Sequence, residues 1–441
     1  MGKLTITRKE SSSEVWDYLE ELVRMKVREF IQTLLEDEVT ELLRRGKSER
    51  RVALDSPAVY RNGYGKGRKL TLGCGTITVR RPRVRGLEER FESRILPLFV
   101  RRSKEVNQLI PQLYLHGLAE GDFDLALRGL LGEEAPISAS TVARLKEQWQ
   151  AEWEQWRRRS LAGLELVYMW VDGVYVKAGL EKAKSALLVV IGGLSDGRKV
   201  ILAVEPGYRE SSESWAEVLR DLKKRGLNCP RLVVGDGHLG IWGALSNVYP
   251  DALEQRCWNH KMRNVLDKLP KKAQVLAKSE LQGIVYSENR EMAETRRYDF
   301  VSWCRKEGYD RAAGALEQDW ERMVTFYRFP KEHWKHLRTT NVVESPFAAL
   351  RLRTDAAKRY KKVANATAVT WKMLLIAEQR FRKLDAPEKL KLVTRLQKHL
   401  LQFHSRGKDR PETLAVSFIG QGRTAMPGRG RRCCPLEGAA P

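Results

Sequence analysis

Two aspartates in this chain of 441 residues end apolar runs, where a carboxylate is costly. Asp172 ends "LELVYMWVD", Asp236 ends "RLVVGD", and each is followed by glycine. A carboxylate at the end of a buried strand loses hydration unless something compensates. Two of them side by side repel, so that one would hold its proton above the usual range. A divalent metal removes both penalties, because hard cations take oxygen ligands. Two metals about 4 Å apart can clamp the attacking and leaving oxygens of an in-line phosphoryl displacement. Such a site needs a third carboxylate, and the residues leave several candidates open. Glu205 ends another apolar run. Glu213 lies in the first turn of a helix, where it suits the helix dipole. Glu344, in "HLRTTNVVESPFAALRLRTDAAKRY", follows Thr339, Thr340 and Asn341, any of which can cap a helix, and it is the only acid between Glu332 and Asp355.

The elements that must position these residues follow from periodicity. "LELVYMWVD", "SALLVVIGGL" and "KVILAVEPG" are short apolar runs separated by the turn signals "GLEKAK" and "SDGR", which predicts a three-stranded antiparallel meander. The amphipathic stretch "SSESWAEVLRDLKKRG" predicts a helix, with Ser at its start and Gly226 at its end. "RLVVGDG" is then a fourth strand. Strand–strand–strand–helix–strand, with acids ending the first and fourth strands, is the order of an RNase H-like core, in which those two strands are neighbours. The fold class expected is therefore α/β, with an RNase H-like core preceded by a mostly helical DNA-binding region.

Around that core, residues 1–60 read as an N-terminal helical region, with helix over 14–46, and 61–105 as a basic loop and short strands. "KLTLGCGTITVRRPRVR" alternates like one or two strands and ends in Arg80, Arg81, Arg83 and Arg85. Residues 106–160 parse as three helices, the last capped by Ser138 or Ser140, in a pattern like a helix-turn-helix. Residues 161–260 and 331–385 are the two parts of the core, and 261–330 is helical throughout. Residues 386–441 comprise a C-terminal helix and a tail rich in Gly, Pro and Arg, whose composition predicts disorder.

A formal charge of +24 and a pI near 9.8 point to a polyanionic partner. The six cysteines are too scattered for a disulfide framework. The polar opening "MGKLTITRKESSSEVWDYLEEL" does not read as a secretory signal, and no run reaches the roughly 18 apolar residues of a membrane span. A cytoplasmic, nucleoid-associated protein is expected. Cys257 and His260 have a spacing that can supply two zinc ligands, but a zinc site needs about four and only Cys229 and His238 are near in sequence. Cations Arg351, Arg353, Lys358, Arg359, Lys361 and Lys362 follow Glu344, where phosphates would approach a metal. Trp258, Trp303, Trp320 and Trp334 read as core of the helical stretch, or as platforms for a displaced base.

Several blocks in order resemble the mutator-type transposases of bacterial insertion sequences. They are "YRNGYGKGRKLTL", "RRSKEVNQLIPQLYLHGL", "WVDGVYVK", "VVGDGHLGIW", "QRCWNHKMRNVLDKLPK" and "HLRTTNVVESPFAALRLRT", running from about residue 60 to about residue 385. The resemblance implies an Asp-Asp-Glu triad and selects Glu344 as its third member, with Asp172 and Asp236 the others. It implies an all-helical insertion between Asp236 and Glu344. It implies catalysis with two Mg²⁺ ions, for which Mn²⁺ would substitute, and a Cys257/His260 motif that is structural or touches DNA. "NVVESPF" departs from the more usual Asn-Pro-Ile-Glu-Ser but keeps the carboxylate and Ser345. The implied activity is binding of terminal inverted repeats, strand cleavage and strand transfer, by a homodimer or higher oligomer on double-stranded DNA. Arg80, Arg81, Arg351, Arg353, Lys358 and Arg359 are the expected DNA contacts. A nuclease that only hydrolyses and a catalytically silent DNA-binding regulator are the alternatives.

Overall fold

The computed structural model of the protein describes residues 12–49, 59–119, 121–132, 139–179, 184–207, 211–237 and 240–394. His238, Ser138, the "GLEKAK" turn at residues 180–183 and the basic tail from residue 395 lie outside the described residues.

The N-terminal helix α1 (Ser12–Leu43) lays Val27, Ile31 and Leu35, spaced four apart, against a small β unit. That unit is built from four short strands rather than the one or two expected. Strand β1 (Tyr60–Tyr64) pairs antiparallel with β4 (Pro82–Arg85), and β2 (Arg68–Leu72) pairs with β3 (Gly75–Val79). The glycine-rich "YRNGY" looks like a loop in sequence but is drawn into a strand by its pairing with β4. Three helices follow: α2 (Lys104–Leu115), α3 (Phe123–Leu131) and α4 (Ala139–Arg157). The last is not a free recognition helix along its length. Its Trp149 and Trp153 are buried, and Trp153 Nε1 donates to Val204 O at 3.1 Å, which ties the C-terminal half to the sheet described next.

The central sheet contains β5 (Leu166–Val176), β6 (Ser185–Leu194), β7 (Lys199–Gly207), β8 (Leu232–Gly235) and β9 (Leu253–Arg256), in the order β7-β6-β5-β8-β9. The first three form the expected antiparallel meander, with Gly197 at φ +84° turning β6 into β7. Helix α5 (Ser212–Lys224) then crosses back, so β8 runs parallel to β5. Its start is capped by Ser211, whose side chain accepts from the Ser214 N–H, and it buries Trp215, Val218, Leu219 and Leu222. The fifth strand, β9, has the sequence "LEQR", and its polarity hid it from pattern reading.

Strand β5 is apolar on both sides because both sheet faces are covered. Met169 and Val171 join a core with α5 and with α6 (Ile241–Val248). Tyr168, Trp170 and Val174 join a larger core with α2, α4 and the C-terminal helices. The stretch after β9 is helical as expected: α7 (Trp258–Leu266), α8 (Lys271–Val285), α9 (Arg290–Lys306), α10 (Asp310–Glu317) and α11 (Trp320–Met323). Then come α12 (Trp334–Leu337), α13 (Asn341–Glu344), α14 (Phe347–Ala356) and α15 (Val363–Glu378). Trp170 Nε1 donates to His336 O at 2.8 Å, and the Tyr168 hydroxyl lies 2.9 Å from His333 Nδ1, which docks the α12 region onto the middle of β5. Among the described residues, no helix is long and apolar enough to cross a membrane.

Candidate active site

Asp172 lies within β5 and Asp236 follows the last residue of β8, on neighbouring strands of the sheet. Tyr168, Met169 and Trp170 of β5 stand opposite Leu232, Val233 and Val234 of β8. Carried two residues past the last recorded pair, that register would set Asp172 opposite Asp236, which lies just beyond the end of β8. Asp172 is half-buried, and one of its oxygens accepts from the Gly173 N–H at 2.8 Å. The glycines after the two acids do different things. Gly173 continues the strand, which runs on to Val176. Gly237 has φ +83°, and a Cβ there would meet Trp242 Nε1 at 2.9 Å, so the chain turns off β8 only with glycine. Asp236 Oδ1 is buried and makes no hydrogen bond, a costly state for a carboxylate oxygen.

Glu344 is the last residue of the short helix α13, which packs against β5 and β6. The Thr340 hydroxyl donates to Glu344 Oε1. His260, on the first turn of α7, stands between the two acids: its Nδ1 is 3.7 Å from Asp236 Oδ1 and 3.8 Å from Glu344 Oε1. Cys257 lies immediately before α7 and is fully buried. Its N–H donates to Gly235 O at 2.8 Å, and its Sγ accepts from the Thr340 N–H at 3.3 Å, with the Thr340 hydroxyl 3.1 Å away. The Cys-x-x-His motif thus spans from the end of the Asp236 strand to the start of the Glu344 helix. Thr340, with no exposed surface, stands at the N-cap position of α13, as one of the candidate caps named from sequence, but its hydroxyl links Cys257 to Glu344 and does not cap the helix. Arg256 is a link that sequence reasoning did not single out: it is buried, its Nε donates to Asp236 O at 3.0 Å and its Nη1 to Asp319 Oδ2 at 2.6 Å, bracing the turn that carries Asp236.

The donors suit a hard divalent cation. Cys257, His260 and Glu344 offer ligand atoms within 4.8 Å of one another. The sulfur, however, already accepts from the Thr340 N–H at 3.3 Å, and burial pushes the thiol up to about 11. That leaves carboxylate oxygens and an imidazole. Cys229 does not add to a zinc set: it lies at the opposite end of β8, with its Sγ 3.5 Å from Pro230 O. The other carboxylates considered are used elsewhere. Glu205 is buried in edge strand β7 and paired with Arg157, 2.7 Å away. Glu213 is exposed in the first turn of α5 and meets Arg220 at 3.1 Å.

The expected DNA contacts divide. Arg353 is buried, its Nη1 donates to Tyr114 O at 3.1 Å and Leu118 O at 2.9 Å, and its guanidinium lies 4.0 Å from the Tyr114 ring centre. It clamps α14 to α2, so most of its surface is spent inside the protein. Arg351, Lys358 and Arg359 are exposed, with Arg359 also donating to Gly179 O at 3.0 Å. Lys361 and Lys362 line a cleft of about 440 Å³ with Lys146 and Arg359. Arg80 is exposed. Arg81 lines a cavity of about 710 Å³ with Lys66, Arg68, Lys69, Arg83, Arg90 and Arg101, and no acidic residue lines it. The tryptophans are structural. Trp258 Nε1 donates to Met323 O at 2.8 Å and Trp334 Nε1 to Phe329 O at 2.7 Å; Trp320 packs edge-on against Trp258, and Trp303 against Phe300 and Tyr309.

The family model described as "Transposase, Mutator family" matches residues 3–380. The transposase for insertion sequence element IS6120 of Mycolicibacterium smegmatis is 43% identical over 288 residues, covering 65% of this chain and 89% of that protein. The transposase for IST2 of Acidithiobacillus ferrooxidans is 41% identical over 267 residues, 60% of this chain and 90% of that protein. The transposase for ISRM5 of Rhizobium meliloti (strain 1021) is 31% identical over 337 residues, 75% of this chain and 81% of that protein.

Proposed function

Since this chain belongs to the Mutator family of transposases, we propose that it cuts and joins DNA at the ends of an insertion sequence. In this reading the five-stranded sheet is an RNase H-like core, and Asp172, Asp236 and Glu344 hold two Mg²⁺ ions. Bound there, the ions would polarise the scissile phosphate and make water nucleophilic near neutral pH. The chain's own part is placement. Strand β5 holds Asp172 rigidly because both its faces are packed. Thr340 and Cys257 orient Glu344, while Arg256 fixes the backbone of Asp236. Water attacks phosphorus at the end of the element and the P–O3′ bond breaks, leaving a 3′-OH. That 3′-OH then attacks a phosphodiester of the target, with the target's own 3′ oxygen leaving. The basic cavity beside β2 and β4 and the cations after Glu344 hold the DNA, which includes the terminal inverted repeats.

The observation that supports this reading is the β5–β8 register, which runs toward both aspartates, together with the packing of α13 against β5 and the His260 contacts to Asp236 and Glu344. The test supplies a pre-cleaved element end and target DNA with Mg²⁺. Joined product is expected from the unaltered chain and none from Asp172→Asn. Cutting of uncleaved ends without any joining would identify a hydrolytic nuclease instead, and full activity of Asp172→Asn would remove the triad from the chemistry.

A further inference from the structure

The segment that joins the small β unit to α2 carries the most exposed large apolar side chain among the described residues. Phe99 is 93% exposed. It stands at the tip of a turn closed by the Val100 N–H, which donates to Pro97 O at 3.3 Å. One exposed apolar residue is ordinary by itself, but this one is held out on a fixed support. Before the turn, Leu96 is buried in the core of the β unit. After it, Arg68 Nη2 donates to Val100 O at 2.5 Å, the Thr71 N–H to Arg101 O at 2.9 Å and the Ser103 N–H to Thr71 O at 2.9 Å, so residues 100–103 are laid along β2. The backbone that presents the ring is thus ordered before anything covers it, which lowers the cost of covering it.

The charges on either side of the turn select what covers the ring. On one side, Leu98 and Arg101 line the basic cavity of about 710 Å³ that also contains Arg81. On the other, Phe99 and Val100 line a second, open cleft of about 960 Å³ with Arg101, Arg102, Lys104 and Arg144. Arg101 lines both, and no acidic residue lines either. Burial and the nearby Arg144 and Arg101 lower the Arg102 guanidinium from its ordinary value, so an anion in the cleft would relieve the crowding. An apolar ring on a ridge between two anion-attracting clefts suits a nucleic-acid duplex, which carries a row of phosphates on each side of a groove and stacked bases between them. A protein covering the same ring would need acids placed for both clefts at once.

We propose that Phe99 is a wedge that enters the base stack of duplex DNA from the minor groove, while cations of the two clefts hold the phosphates on either side. The inference rests on the DNA-processing reading and adds to it a residue that bends the substrate. Apolar wedges unstack a base step and kink the duplex by roughly 20° to 90°. The deformation is easiest at the flexible TA and CA/TG steps. The test uses the full chain without divalent metal. Its probe is a duplex of mixed sequence with a donor and an acceptor dye at its two ends and 2-aminopurine at the adenines of its TA and CA steps. Binding of the unaltered chain should bring the dyes closer and raise the 2-aminopurine fluorescence. Phe99→Ala should bind with the same salt dependence and lose both signals, whereas Phe99→Leu should keep them. Both variants should melt like the unaltered chain, because the ring is exposed. If Phe99→Ala kept the bend and the fluorescence, or if the unaltered chain bound the duplex straight, the wedge alone would be overturned and the ring would be left to a protein partner. If the unaltered chain bound no duplex, the wedge and the DNA-processing reading would fall together.

Discussion

Thr340 has one hydroxyl proton and three neighbours, Glu344 Oε1, Cys257 Sγ and, at 3.5 Å, His260 Nδ1, to which it can be given. The carboxylate is the stronger acceptor. Cys257 Sγ meanwhile accepts from the Thr340 N–H at 3.3 Å, which holds the threonine from its backbone side. The result is a buried relay that fixes one rotamer of Glu344. Thr340→Val keeps the volume and removes the relay. If Glu344 holds a metal as proposed, single-turnover strand cleavage should fall about 10- to 100-fold, the usual cost of losing a residue that orients a metal ligand, with DNA affinity unchanged and most of the rate kept in Thr340→Ser. Weaker DNA binding with an unaltered cleavage rate would assign Thr340 to the DNA instead. At this scale the sequence was uneven. Asp172 and Asp236 were visible because an acid ending an apolar run is conspicuous by itself. Glu344 had rivals until the family blocks were considered. The links made by Thr340 and Arg256 gave no local signal, because they depend on partners 83 residues (Cys257) and 63 residues (Asp319) away in the chain.

Besides the Trp153–Val204 hydrogen bond, α4 meets the edge strand β7 through an ion pair, Arg157 with the buried Glu205. Burial pushes the Glu205 carboxyl up to about 7, and the Arg157 guanidinium only partly opposes this. The folded chain therefore holds the Glu205 proton more tightly than the unfolded chain, whose ordinary value is 4.5. The sign follows: this residue's stabilisation is complete below about pH 4.5 and is lost as pH rises through about 7. Glu205→Gln should flatten the loss of stability between about pH 5 and about pH 8, read as urea midpoints at the two values. An unchanged difference in midpoints would show that Arg157 neutralises the carboxylate fully. The elements were more legible than their contacts. The meander, α5 and β8 followed from apolar runs and turn residues, which are local properties. Strand β9 did not, since "LEQR" becomes a strand only by pairing with β8. Nor did β1, whose glycine-rich sequence is held extended by β4. The helical pattern over 106–160 was right as secondary structure but silent on packing, and α4 turned out to be anchored by Trp149 and Trp153 in the core.

Over the whole molecule, 80 lysines and arginines stand against 56 acids, but a count of charge does not say which cations can reach a phosphate. Arg81 and Arg83 line a cavity formed by Lys66, Arg68 and Arg101 and no acid. Burial and the nearby Arg101 and Arg81 lower the Arg68 guanidinium from its ordinary value, which shows that the cations there crowd one another and that an anion would relieve the repulsion. Arg353 is just as cationic, but its hydrogen bonds go to Tyr114 and Leu118 carbonyls. These two environments predict opposite results. Each phosphate neutralised contributes about 0.9 to the slope of log affinity against log salt concentration. Arg81→Gln with Arg83→Gln should reduce that slope by about 1.8 if both meet phosphates, without a change in unfolding midpoint. Arg353→Met should leave the slope unaltered and lower the stability, because it uncaps two carbonyls and empties the space against Tyr114. Duplex-binding isotherms at several salt concentrations, with a denaturation curve for each variant, separate the outcomes. A slope unchanged in the double variant would place the DNA path away from this cavity, and a reduced slope in Arg353→Met would mean that α14 lifts from α2 when DNA binds.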